Sequence, residues 1–200
     1  MSFDKKKFSL VIPIFNEVSN IGILVQEINE VLKNNFLFEI IIIDDCSNDG
    51  TTLMLKSDLF KDCVIKRNDS NKGQSKCIMT GVKIAKFDTI ITLDGDLQND
   101  PNDIPSLINI FFNETYNFKL VGGIRKKRKD SYIKKISSIT ANSLRKFILD
   151  DNCDDTGCGL KIFNKSIFLT FPFFDGIHRF LPALFKGYGY KTYFIEVNHR

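Results

Sequence analysis

The chain has 200 residues, 43% hydrophobic and 26% charged, which is the size and composition of one globular domain and excludes a disordered segment. Its formal net charge of +4 is too small to indicate a nucleic acid as the partner. Five cysteines, without a Cys-x-x-Cys pair, argue against both a disulfide framework and a zinc site and favour a reducing compartment.

Strands and helices are predicted to alternate over the first 125 residues. Strands are expected at 8–14, 38–43, around 64–65, at 88–93 and at 118–122. Helices are expected from Asn16 or Ser19 to 34–35, from Thr51 onward, at 74–86 and from Pro101. This order predicts an α/β fold with a Rossmann-like, mostly parallel sheet, right-handed crossovers and helices on both faces.

The regular alternation of predicted strands and helices ends after residue 125. A basic segment at 125–135 overlaps a predicted helix at 132–149, and an acidic run with glycines occupies 150–159. Eleven of the 24 aromatic residues lie between 163 and 194, and a further strand is expected just before residue 196. The aromatic stretch 168–185 is most simply read as core, and a membrane-facing patch is the alternative.

Acidic side chains follow two of the predicted buried strands. Asp44 and Asp45 end the second strand, and Asp94 and Asp96 follow the fourth. We expect the two strand ends to be adjacent, at the sheet edge where open α/β folds bind their ligands. Either pair alone is explained by a solvated turn. Two like-charged pairs side by side indicate a divalent cation and a nucleotide that neutralise them.

The first loop excludes the commonest nucleotide-binding motifs. The stretch from Pro13 through Phe15 to Glu17 has no glycine, so neither a dinucleotide fingerprint nor a P-loop fits. Phosphate must then be held by a cation at the acidic pair after the fourth strand and by basic side chains. The first acidic pair could accept hydrogen bonds from a base or ribose. Glu17 taken alone is more simply explained as a charge that complements a helix dipole.

Four motifs together resemble family 2 glycosyltransferases of the GT-A fold, in order and spacing across nearly the whole chain. They are Pro13-x-Phe15-Asn16-Glu17, Ile43-Asp44-Asp45-x-Ser47-x-Asp49-Gly50-Thr51, Asn71-x-Gly73 and Leu93-Asp94-Gly95-Asp96-Leu97-Gln98. The last motif resembles the polyprenyl-phosphate branch, which includes dolichyl-phosphate mannose synthase. The runs 155–161 and 178–182 are similar to bacterial members that load sugars such as formamido-arabinose onto undecaprenyl phosphate.

The resemblance implies a role for each matching residue. The implied nucleotide-sugar site comprises Pro13, Phe15, Glu17, Asp44 or Asp45, Lys72, Gly73, Asp94 and Gly95. Asp94, Asp96 and Gln98 would bind Mg²⁺ or Mn²⁺, and Asp96, Arg125 and Asp155 form the implied catalytic set. Lys134, Ser138 and Arg179 would hold the acceptor phosphate. Lys134 departs from the arginine common in the family and loses its bidentate fork; Gly95 replaces the commoner alanine.

A phosphate acceptor suits the basic segment. A phosphate monoester has its second pKa near about 6, so its dianion needs docking by positive charge and no general base. Residues 125–135 carry seven basic side chains and one aspartate, which a solvated loop would also explain. The expected reaction is an in-line displacement with inversion, from a nucleotide-diphosphate sugar to polyprenyl phosphate. Asp155 is a base if the acceptor is instead a saccharide or lipid hydroxyl, and otherwise orients Lys134 or Arg179.

Two other functions and one residue role compete with this reading. A haloacid-dehalogenase phosphatase also places Asp-x-Asp after a strand, but that strand comes first in its domain and fourth here. A non-catalytic binding module conflicts with the intact acids. His178 is read as an orienting or packing residue and not as a metal ligand.

The expected division is one GT-A domain with a nucleotide-sugar part at 1–125 and an acceptor part at 126–200, shortened at its carboxyl end. No signal sequence and no run of eighteen apolar residues are visible. These features predict a cytoplasmic protein, peripheral on the membrane surface, with a homo-oligomer left open.

Overall fold

The computed structural model describes residues 5–125 and 153–200, so the predicted helix at 132–149 lies outside the described residues. The strands are β1 (Lys7–Ile14), β2 (Leu37–Asp44), β3 (Cys63–Arg67), β4 (Thr89–Thr92), β5 (Leu120–Arg125), β6 (Lys161–Asn164) and β7 (Thr192–Val197). The helices are α1 (Ile21–Leu32), α2 (Thr51–Met54), α3 (Gln74–Ile84), α4 (Ile104–Phe111), α5 (Lys165–Phe168) and α6 (Ile177–Gly187). Two 3₁₀ turns span Asp58–Phe60 and Pro101–Asp103.

The described strands form one sheet in the order β3-β2-β1-β4-β6-β5-β7. All neighbouring pairs are parallel except those of β6, which runs antiparallel to both β4 and β5. The predicted α/β class with a mostly parallel sheet is confirmed. The antiparallel β6 was not predicted, because four residues beginning with a buried lysine carry no readable periodicity.

The expected adjacency of the two acidic strand ends is wrong in one respect, because β1 lies between β2 and β4. Ile14 pairs with Asp44 in the register of β1 and β2, and Val11 pairs with Thr92 in that of β1 and β4. The three parallel strands therefore end at the same edge of the sheet, with the first loop between the two acidic pairs. Asp45 of the first pair and both members of the second pair line one cavity.

Alternating side chains from the central strands fill the cores on the two faces of the sheet. Leu10 and Ile12 pack on the face that α1 and α4 cover, and Val11 packs on the face that α3 and α6 cover. β2 divides its isoleucines in the same way, so both strands are buried throughout their centres. Burial on both faces fixes the register, because a slip of one residue would reverse every side chain.

The aromatic end of the chain is divided between core and surface. Phe163, Phe168 and Phe185 are fully buried, whereas Phe173, Phe174 and Phe180 are 37–42% exposed. Helix α6 has one buried face and one exposed face. Within the described ranges, no helix is both long and apolar enough to cross a membrane.

Candidate active site

A cavity of about 280 Å³ opens where β1, β2 and β4 end. Seven of the predicted site residues line it, namely Pro13, Phe15, Glu17, Asp45, Asp94, Gly95 and Asp96, together with Ile14, Gln74 and Cys77. Phe15 is 45% exposed at this edge, so its side chain is accessible to a ligand. The topology thus brings the first, second and fourth motifs to one place.

Asp44 holds the second motif together and does not line this cavity. Its carboxylate is fully buried and accepts hydrogen bonds from the Ser47 N–H at 2.9 Å, the Thr52 hydroxyl at 2.6 Å and Arg67 at 2.9 Å. Burial alone would raise the pKa of Asp44, but these hydrogen bonds outweigh it and lower the pKa. Of the two alternatives left open at this strand end, Asp45 is the one that reaches the cavity.

Asp45 ties the cavity to the start of α3. Its two oxygens accept the N–H groups of Lys72 and Gly73, each at 2.8 Å, and the Asn68 amide at 2.7 Å. Burial would raise the pKa of Asp45, and these hydrogen bonds lower it overall. The Asp45 carboxylate therefore fixes the loop that precedes α3 through these hydrogen bonds. Gly73 in that loop has φ +80, a backbone conformation that glycine adopts without steric cost.

Asp94 and Asp96 form the second acidic pair of the cavity. Gln74 donates to Asp94 Oδ1 at 2.7 Å, and the Gln98 N–H donates to Asp96 Oδ1 at 3.1 Å. Burial raises the pKa of Asp94, Lys161 and Arg125 oppose that rise, and the charge of Asp96 adds to it. The pair is a concentration of negative charge that a cation would relieve.

Gly159 allows the backbone before β6 to pass directly over Asp94. A Cβ at residue 159 would lie 2.2 Å from Asp94 Oδ2 and 2.3 Å from its Cγ. The Gly159 carbonyl accepts the Thr92 hydroxyl at 2.8 Å, and the Gly123 N–H donates to the Leu160 carbonyl at 2.9 Å. These bonds hold the backbone against β4 and β5, so residue 159 must lack a side chain.

Arg125 and Asp155 meet as a bidentate ion pair beside the cavity. Arg125 Nε lies 2.6 Å from Asp155 Oδ2, and Nη2 lies 2.7 Å from Oδ1. Both side chains are about nine-tenths buried, at 11% and 9% exposure. Hydrogen bonding to Asp155 raises the pKa of Arg125 further, so the guanidinium is always charged. Two of the three implied catalytic residues are therefore joined to each other.

The remaining predicted residues lie elsewhere. Arg179 lines a second cavity of about 400 Å³, together with Lys72 and Gly73, which the resemblance had placed with the nucleotide sugar. Gln98 is exposed and outside the lining of the first cavity. Lys134 and Ser138 lie outside the described residues.

Sequence reasoning missed several residues of the site. Gln74 bonds Asp94, and Gly159 shapes its surroundings. Lys161 is 4% exposed and donates to the carbonyls of Thr156 and Cys158. The glycines on both sides of Cys158 are a sequence feature that indicates a close approach of the backbone to a neighbouring group. A lysine in an apolar run gave none.

The donor set of the first cavity fits a hard divalent cation. Asp94 lies in a buried setting close to Asp96. The carboxylate oxygens of these two residues are ligands of the kind that Mg²⁺ and Mn²⁺ accept. Within residues 5–125 and 153–200, no three His, Cys, Asp or Glu side chains form a ready-made metal cluster. A cation here would therefore share its coordination with ligand oxygens, such as those of a diphosphate.

A comparison with protein-family models matches residues 9–171 to the family described as Glycosyl transferase family 2. Among curated proteins, the chain is 36% identical over 186 residues to the dodecaprenyl-phosphate galacturonate synthase of Rhizobium johnstonii, covering 90% of this chain and 54% of the relative. It is 32% identical over 200 residues to the undecaprenyl-phosphate 4-deoxy-4-formamido-L-arabinose transferase of Pectobacterium atrosepticum, covering 98% and 60%. The chain thus spans somewhat more than half the length of these relatives.

Among solved structures, mannosyl-3-phosphoglycerate synthase from Rubrobacter xylanophilus aligns with a TM-score of 0.76 at 14% identity, covering 98% of this chain and 66% of the other. Glucosyl-3-phosphoglycerate synthase from Mycobacterium tuberculosis, in complex with Mn²⁺, uridine-diphosphate-glucose and phosphoglyceric acid, aligns with a TM-score of 0.75 at 15% identity, covering 98% and 72%. These likenesses establish that the fold is of the GT-A type.

Proposed function

This chain belongs to glycosyl transferase family 2, and from that membership we propose that it moves one sugar from a nucleotide-diphosphate sugar to a polyprenyl phosphate. The observation that carries the proposal is the first cavity, where Phe15, Asp45, Asp94 and Asp96 line one space. An exposed ring and a carboxylate suit a nucleoside, and a paired-acid cation site suits its diphosphate.

The donor is held by residues from three strand ends. Phe15 offers a face to the base, and Asp45 stands at the end of β2, where acids accept hydrogen bonds from a ribose or base. Asp94 and Asp96 would bind Mg²⁺ or Mn²⁺, which supplies positive charge to the departing diphosphate. Arg125 adds a fixed positive charge near Asp94 and is proposed to stabilise the same leaving group.

The transfer needs no general base if the acceptor is a phosphate. One oxygen of the phosphate dianion attacks the anomeric carbon as the bond from that carbon to the diphosphate oxygen breaks, and the electron pair leaves with the nucleoside diphosphate. The product is a phosphodiester with inverted configuration, and no proton has to be removed. Attack opposite the leaving group accounts for the inversion.

Asp155 favours this acceptor over a hydroxyl. Both oxygens of Asp155 accept hydrogen bonds from the Arg125 guanidinium, so the carboxylate is oriented toward Arg125. Pairing with a guanidinium also weakens a carboxylate as a base. The names of the two relatives, one a dodecaprenyl-phosphate galacturonate synthase and the other an undecaprenyl-phosphate sugar transferase, support the same class of acceptor.

The proposal also covers how the chain is divided between donor and acceptor and where the acceptor is met. The part before residue 126 supplies the lining of the donor cavity, the part after it contributes to the acceptor site, and a lipid acceptor is met at a membrane surface. Release of nucleoside diphosphate should be measured with manganese, a set of sugar nucleotides, and either polyprenyl phosphate or polyprenol. We expect release from one donor that requires both manganese and the lipid phosphate. Equal release with polyprenol would refute the phosphate acceptor.

A further inference from the structure

The loop that carries Asp96 continues through Leu97 and Gln98 to Asn99, and two features make its conformation costly. Leu97 has φ +63, in the left-handed region that leucine rarely adopts. The Asn99 side chain is 2% exposed, and its Oδ1 has no hydrogen-bond partner in the part of the chain that the structure describes. The loop therefore needs contacts from other segments to keep this shape.

The return segment, residues 198–200, follows β7 and runs back along this loop. The Arg200 N–H donates to the Gln98 carbonyl at 3.0 Å. The Gln98 N–H in turn donates to Asp96 Oδ1 at 3.1 Å. Gln98 thus connects the return segment to a carboxylate that lines the first cavity.

Two further contacts fix the course of the return segment. The Asn198 N–H donates to Asp103 Oδ2 at 2.7 Å, and the Asn198 side-chain amide donates to Asp103 Oδ1 at 3.1 Å. His199 and Asn99 form an antiparallel bridge. The return segment is therefore attached both to the loop and to the 3₁₀ turn that precedes α4.

The Arg200 guanidinium joins the loop to α1. Its Nε donates to the Leu97 carbonyl at 3.1 Å, and its Nη2 donates to the Asn99 carbonyl at 3.2 Å. Its Nη1 and Nη2 also lie 2.9 and 2.8 Å from the two carboxylate oxygens of Glu27. Hydrogen bonding to Glu27 raises the pKa of Arg200, so the side chain keeps its charge. One planar group with fixed donor directions thus binds two loop carbonyls and one helix carboxylate.

The exposure of this ion pair indicates a local role. The side chains of Arg200 and Glu27 are 37% and 31% exposed, and an ion pair of that exposure contributes little to global stability. The guanidinium nevertheless reaches the carbonyls of the first and third residues after Asp96. The contact therefore restrains the loop much more than it stabilises the whole domain.

We propose that Arg200, anchored by Glu27, is a positioning residue of the first cavity, which holds residues 97–99 and thereby sets the direction of the Asp96 carboxylate. The proposal rests on the proposed function, in which Asp96 contributes to holding the divalent cation. Groups that orient a metal-binding carboxylate affect metal affinity although they do not touch the metal. Without the guanidinium, the loop can leave the costly conformation of Leu97, and the bond from Gln98 to Asp96 is lost with it.

Amide hydrogen exchange of the whole chain, followed by NMR without any ligand, tests the holding role. The Gln98 and Arg200 N–H groups should exchange at least about 10-fold faster in Arg200→Met, because the charge-assisted bonds to the loop are lost. Glu27→Gln should accelerate both by about threefold, and the double variant should be no faster than Arg200→Met alone. The amides of β1 and the urea midpoint should stay close to those of the wild type.

Manganese binding, followed by electron paramagnetic resonance with UDP or GDP present, tests the effect on the cation. Arg200→Met should weaken it about 10-fold, and Arg200→Lys should give an intermediate loss because it keeps the charge without the fork. The reversed pair Glu27→Arg, Arg200→Glu restores an ion pair but no donor to the loop carbonyls, so it should bind manganese as weakly as Arg200→Met. Matched controls are Glu30→Gln, on the next turn of α1, and Lys191→Met, at the exposed residue before β7.

Wild-type exchange and wild-type manganese binding in Arg200→Met would refute the holding role and leave the proposed function standing. Full recovery in the reversed pair would also contradict the proposal, because an ion pair alone would then suffice. Equal acceleration at the β1 amides would show a loss of global stability and no positioning role. Faster exchange confined to the loop, in a chain whose wild type binds no manganese, would retain the holding role and refute the proposed cation site.

Discussion

Replacing Gly159 by alanine tests whether the shape of the Asp94 site controls the chemistry. The new Cβ would lie 2.2 Å from Asp94 Oδ2, and side-chain carbons essentially never approach closer than 3.0 Å, so the atoms must separate by at least about 0.8 Å. The backbone of residue 159 is held by the Thr92 hydroxyl, and Leu160 is bonded to β5. The carboxylate of Asp94 is therefore the part that moves.

The expected result is a loss of function at a small cost in stability. A displacement of this size at a ligand that positions the reacting groups lowers turnover on the order of 100-fold. Rotating one carboxylate lowers the free energy of unfolding by about 1 kcal/mol, at the low end of overpacking effects. Manganese-dependent release of nucleoside diphosphate and urea unfolding measure the two quantities.

Gly187→Ala is the matched control, because its Cβ would meet nothing within 4 Å. Its turnover and unfolding should both stay close to those of the wild type. If Gly159→Ala keeps turnover within threefold of the wild type at the same manganese concentration, the close approach to Asp94 has no functional consequence and the reasoning fails.

Three further predictions concern other parts of the site. Asp96→Asn should reduce manganese-dependent turnover at least about 100-fold while the free energy of unfolding changes by less than about 0.5 kcal/mol, because the side chain is half-buried and its carboxylate accepts from the Gln98 N–H. An active variant would count against a metal role. Arg125→Lys keeps the positive charge but loses the two parallel hydrogen bonds to Asp155. The free energy of unfolding should therefore fall by about 1–3 kcal/mol and turnover by about 10-fold or more. A double-mutant cycle with Asp155→Asn should show a coupling energy above about 1 kcal/mol. The pKa of His178 falls from 6.5 to about 4 on folding, so the unfolded chain binds the extra proton between these values and stability declines as pH falls through that window. For a fully buried ring this loss is about 3 kcal/mol, and solvent screening at a half-buried one reduces it to about 1–2 kcal/mol. His178→Gln should lack this part of the decline in urea unfolding between pH 7 and pH 4, and parallel pH profiles would contradict the lowered pKa.

The parts of the fold that could be predicted are those with a strong local pattern. The continuous apolar runs of β1 and β2 and the spacing of apolar residues in α1 predicted elements that the structure contains within a few residues. The predicted strand at 118–122 is observed at Leu120–Arg125, because pairing with β7 continues to the end of the glycine-containing run. Pairing between distant strands decides such ends, and a local pattern does not report it.

The site was predicted by motif and refined by topology. Both acidic pairs were identified from their place after buried strands, but the insertion of β1 between them depends on strand order. The choice between Asp44 and Asp45 depended on which side chain faces Arg67 and which faces α3. Ser75 and His178 lie about a hundred residues apart in the chain, so their contact at 2.8 Å follows from the packing of α3 against α6.

Mass analysis of the lipid product tests the central claim most directly. The purified chain should be incubated with manganese, a panel of sugar nucleotides and undecaprenyl phosphate. The mass of the extracted lipid should then be measured by mass spectrometry before and after treatment with mild acid. The account predicts a lipid heavier by one sugar residue on a single phosphate, formed in step with nucleoside diphosphate and absent from Asp96→Asn. Sugar found on an alcohol acceptor, or a lipid phosphate left unchanged by every donor while sugar nucleotide is consumed, would contradict it.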